Sequence, residues 1–180
     1  MLPNPLHPAI VHFPVVLVFL LPISAAAAIW TIRKGSRATR AWLVPLAIAA
    51  ALSLTSWLAV ETGENQDERV EQVVQEQALD THEEAAEAFL TGTLVVLLVT
   101  AAGFIRGPVG KISRVAAGVG ALALVAGGAY VGHTGGQLVY KYGAASAYAN
   151  PSGGQAPKVE PARATALQVS HRNNRTGDHD

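Results

Sequence analysis

Four apolar runs punctuate the chain, at residues 9–32, 41–60, 89–105 and 115–134, and none of them carries a polar face at helical period. A helix crossing a bilayer core needs about 20 apolar residues, and about 17 at the least. Three of the runs meet that length; the third is marginal unless residues 85–88 extend it. The pattern predicts an all-α, four-helix transmembrane bundle over residues 1–149. Between the second and third runs, residues 61–87 place Val70, Val73, Val74, Ala78 and Leu79 at near-helical spacing among acids and glutamines. That spacing predicts an amphipathic helix, or an extension of the second and third helices beyond the membrane. Residues 150–180 are polar and rich in Pro, Gly and Asn, a composition that cannot bury enough apolar surface to fold. This tail reads as disordered, with its His171 and His179 solvated.

Charge sets the expected orientation. Arg33, Lys34, Arg37 and Arg40 follow the first run, and Arg106, Lys111 and Arg114 follow the third; neither loop holds an acid. Residues 61–87 hold ten of the 13 acids and only Arg69 among the bases. The positive-inside rule places the two basic loops in the cytoplasm and both termini outside, as in a multi-pass protein of the inner (cytoplasmic) membrane. Residues 1–13 lack Lys and Arg, so the first run reads as an uncleaved span and not a signal peptide. Trp30 and Trp42 fall at the expected inner boundary, and Phe13, Trp57, Tyr130 and Tyr140 at the outer one. Pro14 and Pro22 should kink the first helix, whereas Pro45 falls in the expected first turn of the second. Gly128, Gly132 and Gly136 make a smooth stripe, suited to helix contact or to a flat ligand.

Composition narrows the chemistry. Only 14% of the residues are charged, the net charge is zero, and the mean hydropathy is +0.28. No global field favours nucleic acid. The absence of cysteine excludes disulfides, thiolate ligation of iron–sulfur clusters, covalent haem attachment and thiol catalysis. Phosphate-binding glycine loops and hydrolase elbows are absent too. What remains is histidine. His7, His12, His82 and His133 all fall on the expected outer side, where Glu61, Glu83 and Glu87 join them. Ionisable groups at the interior of a membrane bundle are costly unless paired or ligated.

The opening LPNPLHPAIVHFP, the His82-Glu83 pair and the closing GHTGGQLVYKYG resemble the bacterial membrane family called domain of unknown function 2231. The resemblance covers roughly residues 2–145 and implies a small four-helix membrane protein. Related domains stand beside Rieske-type and c-type cytochrome modules, which implies a redox role by analogy. Three classes of function stay open. One is electron transfer through haem b, ligated by His12 and His133 with His82 or His7 as the alternative partner, and with Gly128 and Gly132 admitting the porphyrin. Its partner would be an extracytoplasmic redox protein docking on the acidic loop. The second is a copper, zinc or iron site built from His7, His12, His82, His133, Glu61 and Glu83. The third is a scaffold without cofactor, in a homo- or hetero-oligomer. All three describe an electron-transfer or binding subunit in a lipid bilayer more readily than a stand-alone enzyme.

Overall fold

The computed structural model describes residues 7–65 and 67–148; the tail from residue 150 lies outside the described residues. Every regular element among the described residues is helical: α1 (His7–Ile10), α2 (His12–Arg33), α3 (Ala38–Glu64), α4 (Asp67–Val70), α5 (Glu76–Ala102) and α6 (Pro108–Tyr140), then a 3-10 turn at Ala144–Tyr148. Helices α1 and α2 run on as one span, His7–Arg33, and four helices are long and apolar enough to cross a membrane.

Each helix outruns its apolar stretch. The 27 residues of α5 rise about 40 Å, against a bilayer core of about 30 Å. Residues 85–88 lie in the same helix as the marginal third run, and α5 is longer than a bilayer core is thick. Within residues 61–87, α3 continues to Glu64, α5 starts at Glu76, and the single turn of α4 lies between.

Proline punctuates the first two helices differently. Pro14 has no N–H to offer the Ile10 carbonyl, and the α1–α2 junction falls one residue on, at Val11. The chain stays helical through the junction by bonds from Val11 N–H to His7 O (3.1 Å) and from Val15 N–H to Val11 O (3.3 Å). Pro45 departs from expectation. Because α3 begins at Ala38, Pro45 lies two turns inside the helix, where it is buried.

The helices pack in ring order: α2 against α3 and α6, α5 against α3 and α6. Small and medium side chains fill the centre, including Val18, Leu21, Ala49, Leu52, Val96, Ala121 and Leu124. Many apolar side chains face out as well: Ile23 is 65% exposed, Leu98 70% and Leu122 63%, whereas buried Thr93 is 1% exposed. An apolar exterior around a partly polar interior is stable in lipid and would aggregate in water.

Two sequence expectations change here. Trp42 is 0% exposed, so it is not a boundary residue like Trp30 (62%) but a buried one, packed with Ala25, Ala28 and Ala117. It lies close to where Gly103 would carry a side chain. The second change concerns the glycine stripe. A Cβ at Gly132 or Gly136 would meet nothing within 4 Å, whereas Gly120 faces Val96, Gly127 and Gly128 face Phe89, and Gly135 faces His82. The contact face of α6 therefore repeats at about two turns, through 120, 127 and 135, and not at every fourth residue.

Candidate functional site

At the acidic end, α5 starts before the third apolar run and α6 continues past the fourth. Val74, Leu79, Leu138 and Ala144 form a small apolar cluster that holds this end together. Beside it stand His7, Asp67, His82 and Glu83, none of them fully exposed and all outside the apolar runs.

His7 is positioned by α3. Its Nδ1 lies 2.8 Å from the Ala59 carbonyl oxygen. A carbonyl only accepts, so Nδ1 carries the proton and the neutral ring keeps its lone pair on Nε2. The ring rests on Gly63, where a Cβ would stand 3.4 Å from Cε1. His82 reaches α6 by the same logic. Its Nδ1 is 2.9 Å from Thr134 Oγ1, whose own proton goes to the Val131 carbonyl at 3.0 Å. The hydroxyl therefore accepts from His82, and Nε2 again holds the lone pair. A Cβ at Gly135 would press on this ring at 2.9 Å, so the glycine makes room for the imidazole. Both histidines are pinned through one nitrogen, as metal-ligating imidazoles are.

Burial lowers the pKa of both rings; at His7 the Ala59 carbonyl and then Asp67 work against this, and at His82 the nearby His7 adds to it. The carboxyls shift the other way. Burial, and then the charge of Asp67, push Glu83 up to about 7, and burial also raises Asp67. Each carboxyl disfavours the charge of the other, and Glu83, with the larger upward shift, is the one that keeps its proton longer as pH rises. Glu83 Oε1 is buried and has no hydrogen-bond partner among the described residues. As they stand, no three His, Asp or Glu side chains among the described residues have the spacing to hold a metal ion.

The other residues singled out from the sequence lie elsewhere. His12 is exposed on α2, and Glu61 is exposed near the end of α3. His133 is exposed on α6, its Nε2 accepting from Gln137 Nε2 at 2.9 Å. Gly132 is exposed, and Gly128 lies against Phe89 and Val18. The structure thus gathers His7, His82 and Glu83 and leaves His12, His133 and Glu61 outside. Asp67 was missed. It belongs to an acidic stretch with no period to distinguish it, and only the turn between α3 and α5 sets it against Glu83.

The raised pKa of Glu83 has a measurable consequence. An unfolded Glu loses its proton near 4.5, whereas folded Glu83 keeps it to about 7. Between these values the folded state binds more protons, so this group's contribution to stability falls as pH rises. His7 and His82, with lowered pKa, contribute in the opposite sense, so the carboxyl is isolated by difference. Glu83→Gln is expected to match wild type near pH 5 and to exceed it above pH 7, by no more than about 1 kcal/mol after solvent screening. Melting temperatures of the two proteins in detergent at pH 5 and 8 check this; an unchanged difference removes the proton from Glu83.

Comparison with known proteins places residues 3–147 under a family model described as "Predicted membrane protein (DUF2231)". No curated protein and no solved structure matches the chain.

Proposed function

The chain belongs to this family of predicted membrane proteins, domain of unknown function 2231, and on that premise we propose that its acidic end binds a transition-metal cation through His7, His82, Asp67 and Glu83. One observation carries the reading: two imidazoles from different helices, each fixed through Nδ1 with its Nε2 lone pair uncommitted, stand near a carboxyl pair in which burial and the neighbouring charge push Glu83 up to about 7. Imidazole with carboxylate suits zinc, copper and iron. Binding would draw the side chains together and release the Glu83 proton to solvent, replacing carboxyl repulsion with attraction to the metal. A redox-active ion there supports electron exchange with an extracytoplasmic protein; zinc supports a non-redox role. Haem b is the weaker reading, because exposed His12 and His133 and the Phe89-covered Gly128 offer no enclosed slot for a porphyrin. The concentration of Lys and Arg at the opposite end supports placing this site outside the inner membrane.

The test uses detergent-purified full-length protein, stripped with chelator and then equilibrated with Zn²⁺, Cu²⁺ or Fe²⁺. We expect about one ion per chain, with at least about tenfold weaker binding in His7→Ala and His82→Ala. His12→Ala and His133→Ala should bind as wild type does. Wild-type protein that retains none of the three ions ends the metal reading. In oriented vesicles the same ion should reach the site only from the extracytoplasmic face, and access only from the other face reverses the orientation.

A further inference from the structure

The opposite end of the bundle holds an open recess of about 340 Å³, lined by Arg37, Thr39, Phe104, Arg106, Lys111 and Arg114. Four of its nine lining residues are cations. Residues 33–60 and 103–140 contain no Asp or Glu, so no carboxylate from the described chain at this end neutralises them. Arg114 is held from below, with its guanidinium carbon 6.0 Å from the centre of the Trp42 ring, and its buried Nε has no hydrogen-bond partner among the described residues.

The backbone adds to the same field. Helices α3 and α6 both begin at this recess, with Ala38 and Gly107 in its lining. Neither has a side-chain cap or an acid in its first turn. The N–H groups of Ala38 and Thr39 on α3, and of Val109 after Pro108 on α6, are thus left for an external acceptor, with the positive ends of both dipoles beside the cations. The recess also has an apolar side. Ile105 lines it, and Val109 and Ile112 follow on α6; all three are more than half exposed. A site that joins phosphate-binding donors to an acyl-compatible flank, at the end of an apolar span, is built for a lipid and not for a soluble anion.

We propose that this recess binds the phosphate headgroup of an anionic phospholipid from the leaflet at the basic end, with Arg37, Arg106, Lys111 and Arg114 on the phosphate and the acyl chains along Val109 and Ile112. The proposal is independent of the metal reading, which concerns the other end of the bundle.

Full-length protein in detergent, given equal amounts of phosphatidylglycerol and phosphatidylcholine, is examined by native mass spectrometry. The expected result is about tenfold more retained phosphatidylglycerol than phosphatidylcholine. Arg106→Gln/Lys111→Gln, both exposed positions, should lose that preference, whereas Arg33→Gln/Lys34→Gln, which removes equal charge outside the recess, should keep it. Melting without lipid confirms that both variants are folded. Equal retention of the two lipids by wild type overturns the proposal, as does the same loss in both double variants, which marks diffuse surface charge. Inorganic phosphate that raises the melting temperature as much as phosphatidylglycerol does overturns the lipid as the source of the phosphate.

Discussion

Trp42→Ala is expected to destabilise the bundle by about 3–5 kcal/mol, the range for truncating a buried aromatic. Trp42 is 0% exposed and joins two helices: it lies in the first turns of α3, and its Nε1–H donates to the Thr100 carbonyl of α5 at 2.8 Å. Ala25, Ala28 and Ala117 are the buried residues packed with the ring, and such short side chains cannot reach into the space an indole leaves. The loss should also free Arg114, which rests over the ring. Trp42→Phe keeps most of the volume and removes the hydrogen bond, so it should cost only about 1–2 kcal/mol. Unfolding of the purified proteins in mixed micelles, followed by circular dichroism, ranks the three. A Trp42→Ala protein as stable as Trp42→Phe would show that the ring packs more loosely than described.

Gly110→Ala is expected to cost about 3 kcal/mol, at the upper end of the overpacking range. A Cβ at this position would overlap the Ile105 carbonyl oxygen, with the Ile105 carbonyl carbon at 2.9 Å and Gly103 O at 3.2 Å behind it. These are backbone atoms and cannot rotate aside. Either the first turn of α6 unwinds, or the turn before it moves, and that turn already depends on Gly107 at φ 83°. Gly118→Ala is the control. Nothing lies within 4 Å of its Cβ position, so the substitution should be neutral or stabilising by up to about 1 kcal/mol through helix propensity. Equal melting temperatures for the two variants would contradict the close approach at Gly110.

Helix number, helix type and the segregation of charge to opposite ends were legible in the chain alone. Each follows from local composition: apolar runs longer than about 17 residues with no polar face have one stable form in a bilayer, and their flanking charges stay with them. The family resemblance was legible as well, because it rests on contiguous motifs, and the family model covers residues 3–147. What tertiary structure decided is rotation about each helix axis. His7 and His12 are five residues apart, about 140° around a continuous helix, so packing that turns one toward α3 turns the other away. The same choice separates buried Thr134 from exposed His133, about 100° apart on α6. No polar face marks these helices, so the sequence pattern could place the histidines at one end of the bundle but not rank them by face. Asp67 and Trp42 make the same point from the two ends. Asp67 meets Glu83 across a turn whose path depends on where α3 stops and α5 starts. Trp42 is buried because Gly103 and the alanines facing it, contributed by the other three spans, leave room for an indole.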